Sequence, residues 1–406
     1  MALVDIDPIQ SWLVQQGLVG SDELEMLTGF CARCNEAGLG LVHAVIFVDT
    51  LHPVLESWGF HWDAEVGKAE TQPFPRSAAA DNADRWRASP FFHMQLEGNA
   101  DYRVDLTDQV SDRFPILTEL REAGHTGYFA MIHPLSGDDA IGEMDNLFSR
   151  WSTTKPGGFT DDDIAVLRDL VPALALAIKT AALRHIAQSL VSAYLGRDPG
   201  RRVLEGRISR GSLESINTVL WYSDLVSFTA ISEKVDSATL IALLNDYAEA
   251  AILSVTENGG DVLKLVGDGI LAIFSSPSLS DAALASLEAR RKLVERVALL
   301  NQQRQSRSDV TTDIYLALHV GEVFYGNIGS DERLDFTVIG PAVNEVCRIA
   351  STSTATGGSL VVSSEFLALL PQEVRIAFVD AGVHHLKGVS QPKQLYISRG
   401  SSHARL

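Results

Sequence analysis

Residues 220–233 read LWYSDLVSFTAISE and residues 259–274 read GGDVLKLVGDGILAIF. Each stretch sets an aspartate, Asp224 or Asp268, in or beside a run of strand-forming apolar residues. That is an unfavourable place for a charge. A carboxylate persists there only if it is paired, hydrogen-bonded or bound to a cation. Two carboxylates brought together from separate strands make a hard-oxygen site for Mg²⁺, which keeps several waters and completes its shell with substrate phosphates. The pair therefore points to nucleotide chemistry.

Working outward, TVLWYSDL (218–225) suits a central strand, and SATLIALLNDYAEAAILSVTEN (237–258) has helical spacing that ends at Asn258-Gly259-Gly260. DVLKLV and ILAIF flank Gly267-Asp268-Gly269 as a hairpin. A helix over about 280–304 precedes the strands DIYLALHVG (313–321) and VFYGNIG (323–329). A helix through PAVNEVCRIA (341–350) and a last strand complete the set. This order predicts an α+β sandwich of ferredoxin-like type, with helices over one face of an antiparallel sheet.

Taken together and in this order, SDLVSFTAISE, GGDVLKLVGDGILAIF, LALHVGEVFYGNIGS (316–330) and TVIGPAVNEVCRIA (337–350) resemble the catalytic domain of class III nucleotidyl cyclases. The resemblance covers nearly all of 213–398. It implies that Asp224 and Asp268, with the backbone carbonyl of Leu225, hold two Mg²⁺ or Mn²⁺ ions per site. One ion would activate the ribose 3′-hydroxyl and the other would steady the triphosphate. Gly267 and Gly269 would let the hairpin tip approach metal and phosphate without a Cβ in the way. Asn344 and Arg348, four apart and so on one helix face, match the pair that orients the ribose and stabilises charge on the α-phosphate. Lys264 and Thr337 fall where the purine is chosen. Guanine-selective members resemble Glu and Cys there, so ATP is the implied substrate. Threonine in place of the more usual aspartate resembles a subgroup that often responds to bicarbonate. Asp335 is offset from that position. Lys387, in HHLKGVSQP (384–392), resembles a triphosphate contact. Gly340-Pro341 departs from the usual Gly-Asp of the third motif, and proline is comfortable at a helix start. Because one subunit of such enzymes supplies the metal ligands and the other the purine and transition-state residues, the resemblance implies a homodimer.

Residues 1–180 read as a separate α/β unit: a helix near 21–37, a strand LVHAVIFVD (41–49), strands GYFAMIHPL (127–135) and MDNLFSRWS (144–152), and a long helix after KPGGFTDDD. Thr160 is its expected N-cap. This ending resembles GAF-type sensory domains. It implies a regulatory unit, with a small-molecule ligand as a further expectation, although core packing also accounts for its aromatic residues. Residues 181–212 are expected to connect the two. Leu183, Ile186, Leu190 and Ala193 fit either a short coiled-coil seam or a helix packed on its own domain, and GRDPG (196–200) is expected to stop that helix. The catalytic part is then 213–406.

At 406 residues and a formal charge of −19, the chain lacks the basic stripe of a nucleic-acid binder and any attraction to anionic membranes. The apolar stretch 171–190 is broken by Lys179, Arg184 and His185, and the first residues do not read as a signal peptide. Three cysteines make no disulfide framework, so a cytoplasmic protein is expected. Cys31 and Cys34 form a lone CxxC with no second ligand pair. Guanylate cyclase, and from another class a catalytically silent nucleotide-binding regulator, are the competing readings. The diguanylate cyclase hairpin signature is absent.

Overall fold

The computed structural model describes residues 6–107, 113–135 and 144–398. The chain forms two compact units, Met1–Leu190 and Val191–Leu406. In the first unit the order is α1 (Asp7–Val19), α2 (Glu23–Glu36), β1 (Leu41–Asp49), β2 (Leu55–Asp63), β3 (Lys68–Pro75), α3 (Ala79–Arg87), α4 (Pro90–Glu97), β4 (Asp101–Asp105), α5 (Pro115–Glu122), β5 (Gly127–Pro134), β6 (Asn146–Thr153) and α6 (Asp161–Leu195). The strands make one antiparallel sheet in the order β3-β2-β1-β6-β5-β4. Its face bearing Ala44, Ile46, Phe129 and Trp151 packs on α1, α2 and α6. Its other face meets the α3–α5 segment through Phe91, Phe114 and Phe148.

Thr160 does start α6, and reciprocally. The Asp163 N–H donates to Thr160 Oγ1, and the Thr160 N–H donates to the Asp163 carboxylate, which satisfies two otherwise orphaned donors. Ile186 lies in the core of the first unit, and Leu183 and Leu190 pack against it. GRDPG stops α6 as expected, and a new helix starts within it. α6 stops at Leu195, Gly196 takes φ +92°, and α7 (Arg197–Leu204) begins at once. Pro199 sits in its first turn, where a missing N–H costs nothing.

The second unit continues with β7 (Leu213–Leu225), α8 (Phe228–Ser232), α9 (Ser237–Thr256), β8 (Asp261–Val266), β9 (Gly269–Phe274), α10 (Leu279–Ser306), β10 (Ile314–Gly329), β11 (Leu334–Ile339), α11 (Pro341–Ala350), α12 (Ser353–Thr356), β12 (Leu360–Ser363), α13 (Ser364–Leu367), α14 (Gln372–Arg375), β13 (Phe378–His384) and β14 (Lys393–Ser398). The central strands β10-β7-β9-β8 are antiparallel and follow the ferredoxin-like order, last-first-third-second. Three details differ from the sequence expectation. The two strands expected at 313–321 and 323–329 are one continuous β10, paired to β7 from Ile314 to Gly326, so the chain does not break at the intervening Glu322. β12 adds parallel to β10 and leads to β14 and β13. Helices cover both faces: α9 and α10 lie over Val219, Trp221 and Phe274, and α11 lies over Leu220, Leu271 and Ile273. Each large apolar side chain buried this way contributes about 1.5–3 kcal/mol. β7 is apolar on both sides because both faces are covered, which is why it reads as a continuous run rather than an alternating one.

Among the described residues α9, rather than the stretch 171–190, is long and apolar enough to cross a bilayer by length and composition. Leu243, Tyr247, Ala250, Ala251 and Val255 of α9 lie in the core of the second unit.

Candidate active site

The C-terminal end of β7 and the tip of the β8–β9 hairpin meet at a cleft of about 300 Å³. Asp224, Leu225, Gly267 and Asp268 line one side, and Ile241, Asn245 and their neighbours on α9 the other. The hairpin positions Asp268. Val266 pairs with Gly269, leaving Gly267 and Asp268 as a two-residue loop. Only the first of these has positive φ, +66°, the pattern of a type II′ turn. No atom would lie within 4 Å of a Cβ at Gly267, so the tip is open. Gly269 is required for another reason: a Cβ there would meet Tyr222 Oη at 2.3 Å. β7 positions Asp224 opposite Tyr315 of β10. Tyr315 Oη donates to Asp224 Oδ2 at 2.9 Å, and the Leu225 N–H donates to Oδ1 at 3.0 Å.

These donors do not neutralise the site. Burial, then the Asp268 carboxylate within hydrogen-bonding reach, pushes Asp224 up to about 7, against the lowering effect of Tyr315. Burial and Asp224 likewise raise the phenols of Tyr222 and Tyr315. Two carboxylates converge in a half-buried cleft with no basic side chain lining it. That donor set fits a hard divalent cation, whose charge replaces the proton the pair would otherwise retain. A second group, Asp22, Glu23 and His185 in the first unit, is also close enough to ligate a metal. Glu23 there already contacts His185 Nδ1 at 3.1 Å, and Asp22 caps α2.

The other sequence-selected residues lie outside this cleft. Lys264 reaches from β8 to Asp335 of β11, with Nζ–Oδ2 at 3.2 Å. Thr337, two residues on and so on the same side of β11, is 4% exposed, yet its Oγ1 has no hydrogen-bond partner. Lys264 and Thr337 are thus brought toward one edge of the sheet. Asn344 and Arg348 are exposed on α11, whose buried face is Val346 and Ile349. No residue of α11 lines the aspartate cleft. Lys387 is exposed at a turn completed by Gly388 with φ +80°.

Sequence reasoning missed Tyr222, Tyr315 and the Lys264–Asp335 pair. Tyr315 is found only through the β7–β10 register, which no local pattern encodes. Asp335 has the wrong offset from Asn344, although its position two residues before Thr337 is a usable sign that both share a strand face.

The sequence profile of the adenylate and guanylate cyclase catalytic domain matches residues 213–399. An adenylate cyclase of Anabaena cylindrica is 25% identical over 195 residues, covering 47% of this chain and 38% of that protein. An uncharacterised protein of Mycobacterium tuberculosis is 28% identical over 217 residues, covering 52% of this chain and 38% of that one. The chain therefore spans less than two fifths of the length of these curated relatives. Among solved structures, the adenylyl cyclase CyaB from P. aeruginosa is 27% identical with a TM-score of 0.42, covering 47% of this chain and 97% of that one. The guanylyl cyclase Cya2 is 26% identical with a TM-score of 0.41, covering 46% and 94%.

Proposed function

Residues 213–399 belong to the adenylate and guanylate cyclase catalytic-domain family, and from that premise we propose that the chain is an adenylate cyclase, a phosphorus–oxygen lyase that converts ATP to 3′,5′-cyclic AMP and pyrophosphate. The observation that carries this reading is the convergence of Asp224 and Asp268 in one cleft with Asp224 pushed up to about 7. Asp224, Asp268 and the Leu225 carbonyl would hold two Mg²⁺ or Mn²⁺ ions. When bound, such ions supply Lewis-acid activation of the ribose 3′-hydroxyl and neutralise the departing pyrophosphate.

The chain's own residues do the rest. Tyr315 and the Leu225 N–H fix the Asp224 carboxylate by one hydrogen bond to each oxygen. Asn344 orients the ribose, and Arg348, a planar and permanently charged fork, takes the charge that builds on the α-phosphate. Lys387 contributes a cation toward the triphosphate. Since Asn344 and Arg348 lie outside the aspartate cleft of their own chain, we infer a homodimer in which α11 of one subunit completes the cleft of the other. Isologous symmetry then gives two equivalent sites. The residues at 1–180 act as a GAF-like regulatory unit, 181–212 as the connector and 213–406 as the catalytic unit. A ligand that binds the first unit differently in two arrangements of the connector would shift activity.

Choice of ATP over GTP rests on Lys264 and Thr337. Lys264, held out by Asp335, donates to adenine N1. The unpartnered Thr337 Oγ1 is a free acceptor for the exocyclic amine, and an unmet buried polar group of this kind discriminates strongly between ligands that do and do not satisfy it. Lys264→Glu combined with Thr337→Cys is expected to lower the ATP-to-GTP ratio of kcat/KM by at least about a hundredfold, on the scale of about 1.4 kcal/mol per tenfold for each exchanged hydrogen bond. An unchanged ratio in an active variant would show that these residues do not read the purine.

A further inference from the structure

Helix α11 carries Asn344 and Arg348, yet its apolar packing fixes its rotation poorly. Its N-terminal end has no side-chain cap, only Gly340 followed by Pro341. Its buried face is mostly small: Ala342, Val346, Ile349 and Ala350. The first of these lies on the bare backbone of β10, where a Cβ on Gly321 would meet Ala342 Cβ at 2.6 Å. Apolar contact of this kind is non-directional. It holds the helix down without setting the angle at which its outer face is presented.

Glu345 supplies the direction. It follows Ala342 by three residues and precedes Ile349 by four, so it borders the buried face, with Asn344 and Arg348 beside it. Its Oε2 accepts from His319 Nε2 of β10 at 2.9 Å and from Lys393 Nζ of β14 at 2.8 Å. Both partners are anchored in turn. His319 is 2% exposed, and its Nδ1 lies 2.8 Å from Ser363 Oγ at the end of β12. Ser363 Oγ also accepts the Phe366 N–H at the start of α13. Lys393 Nζ reaches Glu365 Oε1 at 2.8 Å. Strands β10, β12 and β14 are thus tied to one carboxylate of α11. Hydrogen bonds from His319 and then Lys393, against the opposing effect of burial, hold the Glu345 carboxyl at about 2. A largely buried charge persists only with such partners, and a fully partnered network rigidifies what it joins. None of these groups lines the aspartate cleft, so the metal site does not account for them.

We propose that Glu345, held by His319 and Lys393, is the positioning residue that sets the rotation of α11, and with it the placement of Asn344 and Arg348 in the cleft of the second subunit. This role rests on the reading of α11 as the element that completes the other subunit's site.

The test uses the full chain with ATP and Mg²⁺. The carboxylate borders a groove of about 330 Å³ beside His319 and Lys393, so water can replace it, and Glu345→Ala is expected to fold. A misplacement of about 1 Å at a reacting centre costs on the order of a hundredfold, and kcat of Glu345→Ala is expected to fall by about that factor. KM for ATP should stay the same, because a contact made only in the transition state lowers kcat and kcat/KM together. Glu345→Gln keeps an acceptor for His319 and should regain about tenfold, the scale of one hydrogen bond. A general folding defect would damage both roles of a subunit, whereas lost positioning damages only the α11 role. Mixed with Asp224→Asn, Glu345→Ala should therefore recover about a quarter of wild-type activity, as complementary defects do in a symmetric dimer. Mixed with Arg348→Ala it should recover none, since no site then has an intact α11. Wild-type kcat in Glu345→Ala, a raised KM at unchanged kcat, or recovery with Arg348→Ala would overturn the proposal. So would failure to recover with Asp224→Asn when Arg348→Ala does recover with it. If neither recovers although mixed dimers form, the shared-site reading falls and this role falls with it.

Discussion

Asp268→Asn is expected to lower cyclic nucleotide formation by at least about a thousandfold while leaving the chain folded. The substitution keeps the shape of the hairpin tip but removes one of two anionic oxygen donors in the cleft. Charge stabilisation by a bound divalent ion is worth several kcal/mol, and roughly 4 kcal/mol corresponds to a thousandfold in rate. The fold has no comparable stake in this carboxylate. Asp268 lies at a two-residue loop whose required conformation is supplied by Gly267. Stability should in fact move the other way when divalent ions are chelated. Asp224 is raised from its ordinary 3.8 to about 7 by burial and then by Asp268. The folded state therefore holds a proton that the unfolded chain releases. This stabilisation is complete below about pH 4 and is lost as pH rises to about 7. In Asp268→Asn the burial contribution persists but the neighbouring carboxylate is gone, so the loss of melting temperature over that interval should be smaller than in wild type. Unchanged turnover would remove Asp268 from the metal site. An unchanged pH profile of stability would mean that the two carboxylates do not interact as the geometry indicates.

Mixing two inactive variants, Asp224→Asn and Arg348→Ala, should restore activity. The reason is positional. Asp224 lines a cleft between β7, the β8–β9 hairpin and α9, whereas Arg348 is exposed on α11 and lines no part of that cleft. If a second copy supplies Arg348, every site in either pure variant is defective. A mixed dimer holds one site carrying both defects and one carrying neither. With equal amounts and statistical exchange of subunits, half the dimers are mixed and half of their sites are intact, giving about a quarter of wild-type activity by isologous symmetry. Mixed dimers that form without recovering activity would contradict shared sites.

The parts of this architecture that were legible from sequence are those encoded locally. Helix α9 shows its 3.6-residue spacing, the β8–β9 turn shows its Gly-Asp-Gly, and Thr160 shows a cap with Asp163 three residues on. The two aspartates could be read as a pair because a charge beside a strand needs a reason. The long-range features were not legible. Two strands are expected on either side of Glu322, yet β10 runs straight through it because β7 pairs with it there. GRDPG does stop α6 at Leu195, but nothing local shows that α7 starts at once from Arg197 with Pro199 in its first turn. Tyr315 gives no local sign of its role.

The reaction product is the most direct test of the assigned activity. Purified full-length protein should be incubated with ATP or GTP and Mg²⁺ or Mn²⁺, with cyclic nucleotide and pyrophosphate measured together. Cyclic AMP and pyrophosphate formed in equal amounts from ATP, in preference to the GTP reaction and only with a divalent ion present, is the expected result. ATP binding by the folded dimer with neither product released under any of these conditions would contradict it and leave a silent nucleotide-binding regulator.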